Sequence, residues 1–230
     1  MMPPAAIVFD FDGVIANSEP LHLRAFQDVF GPAGLPIDAA EYYARYLGYD
    51  DEGMVDALTA DRGVVLDRGR RTALLEIKAR RLAELLRQPD VLFPGAAACV
   101  RELASHVPLA IASGALRAEI ELVLDAAGLR DCFHDIVAAG ETPSGKPAPD
   151  PYLRALALLQ ARGLVPAGAA RRTVAIEDSH FGLAAARAAG LRTVALTTSH
   201  PAGELGGADL VLPAIADVTF ETLARLVADA

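Results

Sequence analysis

The chain of 230 residues carries 21 basic against 30 acidic side chains, a formal net charge of −9, and 53% of its residues are hydrophobic. That length admits one large domain or one domain with a smaller insertion, and that composition supports a sizeable core rather than wholesale disorder. The acidity excludes a protein that wraps nucleic acid, which needs a concentrated basic face, yet permits a small anionic substrate held by local charge.

The first element is an apolar run, Ala5–Phe9, inside MMPPAAIVFDFDGVIAN. Asp10 and Asp12 interrupt it and no basic segment precedes it, so it reads as a strand rather than a signal peptide. No later run is long enough to span a bilayer. These features predict a soluble, cytoplasmic protein with no membrane partner. Monomer is the expected state, because no long apolar stripe is left over. Cys99 and Cys132 are expected to be small thiols in a reducing compartment rather than a disulfide.

From about Glu19 to Gln88 only helical patterns occur. Leu21, Ala25 and Val29 share a helical spacing, as does the run Thr72–Leu86, and Gly31, Gly48, Gly53 and Gly63 punctuate the segment. Strand-like runs then resume at Pro108–Ala112, Ile136–Ala139, Thr173–Ile176, Thr193–Leu196 and Leu210–Leu212. Between them lie amphipathic segments. One covers Arg117–Ala127, with Gly128 as its stop. A second starts around Pro151 behind Asp150 as N-cap and stops near Gly163. A third covers His180–Ala189 and ends at Gly190. Continuous apolar strands alternating with helices predict an α/β fold, a parallel sheet covered by helices on both faces. The helical stretch predicts an insertion: residues 1–15 and 91–230 as the core, residues 16–90 as a helical cap. Such sheets bind ligands at the carboxyl ends of their strands.

Four segments at those ends carry chemistry. Asp10 and Asp12, two apart in extended chain, can face one pocket, where two like charges call for a cation; the plain alternative is a solvated acidic turn. Ser113-Gly114 offers a hydroxyl and free N–H groups at a strand-to-helix turn, suited to phosphate but also common turn chemistry. Lys146 stands on a proline-stiffened loop, Gly145-Lys146-Pro147-Ala148-Pro149-Asp150, as a point charge for phosphate. GETPSGKP nearly matches the Walker A pattern, but Pro147 replaces the magnesium-reaching hydroxyl and disfavours helix at Lys146, so a P-loop is rejected. Glu177 and Asp178 end an apolar strand, where two acids are costly unless they hold a cation or face a cleft; magnesium prefers such oxygen ligands. Together they supply the equipment of phosphoryl transfer.

In this order the segments resemble the four motifs of the haloacid dehalogenase superfamily, in its subgroup with a helical cap after the first motif, the β-phosphoglucomutase and phosphoglycolate phosphatase-like enzymes. The resemblance spans essentially the whole chain, including Phe93-Pro94-Gly95 where the cap returns. It implies a Rossmann-like core and a Mg2+-dependent phosphatase acting on a small phosphorylated metabolite of the sugar phosphate or phosphoglycolate type. It also implies Asp10 as the nucleophile that becomes an aspartyl-phosphate, and Asp12 as acid and then base. Ser113, Gly114 and Lys146 would hold the phosphoryl group. Asp10, the Asp12 carbonyl, Asp178 and Glu177 would hold the metal. A carboxylate at Asp12 favours phosphate over halide chemistry, since a departing halide needs no acid. His22 and Arg24 resemble the region after the first motif, and Arg45 is a further candidate substrate contact.

Two other readings remain. A β-phosphoglucomutase-like mutase would grip a second phosphate with cap cations, but Leu47-Gly48-Tyr49-Asp50-Asp51 offers acids and no base. A phosphoaccepting signalling module without turnover would carry similar residues but lacks a long cap and puts its aspartate on a later strand.

Overall fold

The computed structural model describes residues 3–46, 49, 51–88 and 91–228. The chain separates into two compact units, one of residues 18–88 and one of residues 1–17 with 89–230.

The unit of residues 18–88 is helical. It contains α1 (Glu19–Phe30), a short turn α2 (Ala39–Glu41) running into a π-helical turn at Tyr42–Tyr46, α3 (Asp51–Arg62) and α4 (Arg68–Leu85). Asp38 and Asp67 cap α2 and α4 by accepting from the N–H groups of Glu41 and Arg70. α1 packs along α4. The shared core holds Leu23, Phe26, Phe30, Tyr42, Met54 and Leu58. The buried face of α1 is wider than its sequence spacing suggested: Leu23, Ala25, Phe26, Val29 and Phe30 go inside, while Leu21 stays half-buried. Gly31 closes α1 and Gly63 follows α3 at φ +62°, but Gly53 lies inside α3 rather than breaking it. Gly48 lies outside the described residues, as do Leu47 and Asp50 of the acidic stretch.

The second unit is built on six parallel strands: β1 (Ala6–Phe9), β2 (Leu109–Ala112), β3 (Asp135–Val137), β4 (Thr173–Glu177), β5 (Arg192–Leu196) and β6 (Leu210–Leu212). Their order is β3-β2-β1-β4-β5-β6. β1 is central, and all four of its residues are fully buried, as a strand covered on both faces requires. The covering helices are α5 (Ala96–Ala104), α6 (Arg117–Ala126), α7 (Asp150–Ala161), α8 (His180–Ala188) and α9 (Phe220–Ala228). This is a Rossmann-like α/β core, with the helical unit inserted after its first strand.

Local differences from the expected elements have local causes. β3 ends at Val137, because the Ala139 N–H turns back to the carbonyl of Ala115 (2.9 Å). Asp150 is the first residue of α7 rather than its cap, and Pro151 beside it gives up an N–H that the first turn leaves unpaired anyway. β4 extends to Glu177, which is fully buried. Cys99 is buried and Cys132 half-buried, both as free thiols, and burial pushes the Cys99 thiol up to about 12. Among the described residues no helix is long and apolar enough to cross a membrane.

Candidate active site

The central pair of strands brings the acids together. The Asp10 N–H donates to the Ile176 carbonyl at 2.9 Å, carrying the β1–β4 ladder one residue past the end of β1. Asp10 therefore leaves the sheet beside the Glu177-Asp178 end of β4. Carboxylate oxygens of Asp10, Glu177 and Asp178 all lie within 4.8 Å of one another, and all three residues are buried. Gly13 turns the chain after Asp12 at φ +75°, and a Cβ there would overlap the Asp178 carboxylate. Only glycine combines that backbone with that approach. Asp12 stands on this turn, half-buried, between Phe11 and Gly13.

Lys146 supplies the opposing charge. Its Nζ lies 3.0 Å from Asp10 Oδ1 and 2.5 Å from Glu177 Oε1. Three carboxylates against one ammonium leave an excess of acid in a largely buried site. Burial first, and then neighbouring carboxylates, push Asp10 up to about 6 and Asp178 up to about 7. Asp10 is relieved in part by Lys146 and by the Phe11 N–H, which donates to its Oδ1 at 2.7 Å. Lys146 itself is driven upward by Asp10 and Glu177 against the cost of burial.

Glu177 is held from all sides. Its Oε1 accepts from Lys146 and from the Tyr152 hydroxyl of α7 (2.6 Å), and its Oε2 from the Ser179 hydroxyl (3.0 Å) and the Asp178 N–H (3.2 Å). So bound, it is placed as much to hold Lys146 as to face a metal. The Ser199 hydroxyl donates to Asp178 Oδ2, and the Thr198 hydroxyl to the Gly13 carbonyl. Tyr152, Ser179, Thr198 and Ser199 escaped the sequence reading. Thr197-Thr198-Ser199 at the end of β5 was the available signal, since hydroxyls at a parallel strand's carboxyl end sit where ligands bind.

Ser113 follows β2 directly. It is buried, its N–H donates to the Val137 carbonyl (2.9 Å), and its Oγ accepts from the Ala115 N–H (3.1 Å). Ser113, Gly114, Gly140, Thr142, Gly145 and Lys146 line one cavity of about 290 Å³. The phosphate-binding candidates of the sequence thus share a single space.

Of the three candidates in the helical unit, His22 is half-buried, with its Nδ1 3.2 Å from Lys78 Nζ. Burial, then the Lys78 charge, lowers the imidazole to about 4. Arg24 is exposed and lies 4.0 Å from Asp28, while Arg45 pairs with Asp61 (2.6 Å) and Glu41 (3.8 Å) from an exposed position. In the helical unit, sequence reasoning also missed Lys78. It is fully buried on α4, 2.5 Å from Asp51 Oδ1 and 4.7 Å from the Phe26 ring centre. The stretch that looked acidic and without a base therefore does have one ammonium, supplied from 27 residues further on. Its signal was spacing: Lys78, Leu82 and Leu85 form the buried stripe of α4.

Comparison with known proteins agrees with this geometry. Residues 4–190 match the haloacid dehalogenase-like hydrolase family. Protein CbbY of Rhodobacter capsulatus is 33% identical over 241 residues, covering 96% of this chain and 98% of that protein. The fructose-1-phosphate phosphatase YqaB of Escherichia coli is 32% identical, covering 83% of this chain and 95% of that protein. The crystal structure of CbbY from Rhodobacter sphaeroides in complex with xylulose-(1,5)bisphosphate superposes with a TM-score of 0.77 at 30% identity, covering 93% of this chain and 96% of that one. Motif order, sheet topology and relatives converge: this chain belongs to the haloacid dehalogenase-like hydrolases, as a phosphoric monoester hydrolase with an inserted helical unit.

Proposed function

We propose that the chain is a Mg2+-dependent phosphatase that hydrolyses a small sugar phosphate through an aspartyl-phosphate on Asp10. The observation that carries the reading is the cluster of three buried carboxylates at the carboxyl ends of β1 and β4, two of them paired with the Lys146 ammonium. Its excess of acid suits a divalent ion, and an all-oxygen donor set suits magnesium. Asp10 and Asp178, with the Asp12 carbonyl and with Glu177 behind them, would hold it. When bound, the ion supplies charge neutralisation for the transferring phosphoryl group.

The residues then divide the work. An Asp10 carboxylate oxygen attacks phosphorus while the bond to the leaving oxygen breaks, and the Asp12 carboxylic acid protonates that oxygen. The Asp12 carboxylate next takes a proton from water, whose oxygen attacks the acyl phosphate; inorganic phosphate leaves and Asp10 is regenerated. Lys146 and the Ser113-Gly114 turn hold the phosphoryl oxygens. In the helical unit, which the sequence reads as a cap of residues 16–90, His22, Arg24 and Arg45 are the candidate substrate contacts. The sugar phosphates named for two relatives support a substrate of that class.

The test is inorganic phosphate release from sugar, polyol and carboxylate monophosphates and a ketose bisphosphate, with magnesium, beside an Asp10→Asn control. Release by the wild type that vanishes in the control is expected. Equal release by both would overturn the nucleophile assignment. Isomerisation of a sugar phosphate in place of release would make the enzyme a mutase.

A further inference from the structure

Three side chains that the hydrolytic site does not use converge on the surface of the α/β unit. His180 is the first residue of α8, and His200 and Glu204 lie in the segment after β5. Glu204 Oε2 stands 3.6 Å from His180 Nε2 and 3.6 Å from His200 Nδ1. The imidazole centres are 4.6 Å apart, with planes inclined at 53°. One ligand atom from each residue lies within 4.8 Å of the other two.

We propose that His180, His200 and Glu204 form a second metal site, which chelates a borderline dication of the zinc type and staples the segment after β5 to the start of α8. Two imidazole nitrogens and one carboxylate oxygen are a donor set for Zn2+, Ni2+ or Cu2+, whereas magnesium selects oxygen ligands. Bonds of 2.0–2.1 Å in a tetrahedral shell place ligand atoms about 3.4 Å apart. The two histidine–glutamate separations of 3.6 Å are already close to this, and the remaining one needs to close by about 1.4 Å at most, within reach of half-exposed side chains turning about their own bonds. That exposure also leaves room for water at the fourth position.

The backbone beneath the trio is already organised. Glu204 N–H donates to the Pro201 carbonyl (2.9 Å) and Leu205 N–H to that of Ala202 (3.1 Å), so His200 and Glu204 are held across one turn. Leu205 is fully buried against Leu183 of α8 and Ala195 of β5, which fixes the segment against the helix that carries His180. At the other side, the Ser179 hydroxyl caps α8 by accepting from the Gly182 N–H (3.1 Å). Little ordering remains to be done when a metal arrives.

The experiment titrates Zn2+ calorimetrically into the full chain with Mg2+ in excess, using wild type, His200→Ala, His180→Ala and Asp178→Ala. One equivalent of Zn2+ is expected to bind to wild type and to Asp178→Ala. Each histidine variant should lose about tenfold or more in affinity, no less than the loss of an outer-shell partner costs at known metal sites. Melting temperatures should rise with Zn2+ in wild type and not in the histidine variants, which should match wild type without metal because both side chains are half-exposed. Zn2+ bound equally by wild type and both histidine variants, binding lost only in Asp178→Ala, or no binding at all would each overturn the site.

Discussion

Glu177 shows how one residue can carry the cost of a whole site. A fully buried carboxylate is tolerable only because Lys146, Tyr152 and Ser179 all donate to it. Gly182, in the first turn of α8, leaves the space its oxygens occupy, and a Cβ there would overlap the Glu177 carboxylate. Gly182→Ala sets a helix-propensity gain of about 1 kcal/mol against overpacking that costs about 1–3 kcal/mol. Because the neighbour is pinned by several bonds and cannot move aside, overpacking should win, and the urea midpoint should fall. Asp12→Ala should lower kcat by about 10²–10⁴, as steady-state rates would show.

On the scale of an element, α4 combines a packing role with a charged one. Its buried stripe carries Lys78 between apolar neighbours, and the ammonium is satisfied by Asp51, by His22 and by the face of Phe26. Asp51→Ala leaves that ammonium short of its partner and should cost about 1–3 kcal/mol. Lys78→Met keeps the apolar stem and lets the part-exposed Asp51 return to water, so its unfolding free energy in urea titrations should stay within about 1 kcal/mol of wild type. A larger loss in the methionine variant would show the pair to be net stabilising. His22 adds a pH dependence. Its pKa falls from the usual 6.5 to about 4 in the fold, so protonation favours the unfolded chain. Its contribution is complete above about pH 6.5 and is lost as pH falls toward 4. His22→Asn should flatten that acid limb in a series of thermal melts.

For the molecule as a whole, the metal site proposed at the carboxylate cluster would tie stability to metal. Asp10 and Asp178 have folded pKa values raised to about 6 and about 7, so they favour the fold while protonated and oppose it once charged. Metal-free protein should therefore lose stability as pH rises from about 4 through about 7. Mg2+ compensates the charge, so the rise in melting temperature between EDTA and excess Mg2+ should be larger at about pH 8 than at about pH 5. An equal rise at both values would remove these carboxylates from the metal site.

What could be read from the chain alone follows from periodicity and from where polar residues interrupt it. Short apolar runs alternating with helical stretches determined the parallel sheet, and acids or a Ser-Gly at the ends of those runs marked Asp10, Ser113, Glu177 and Asp178, because a parallel strand places its ligand-facing residues where its apolar run stops. The helical insertion was legible as a break in that alternation. Partnerships between distant segments were not. Tyr152 reaches Glu177 across 25 residues, Ser199 reaches Asp178 across 21, and Lys78 reaches Asp51 across 27. Pairing of this kind leaves no spacing in the sequence. Only the tertiary structure decides which polar groups share a dry interior, and so which of them must bond to one another.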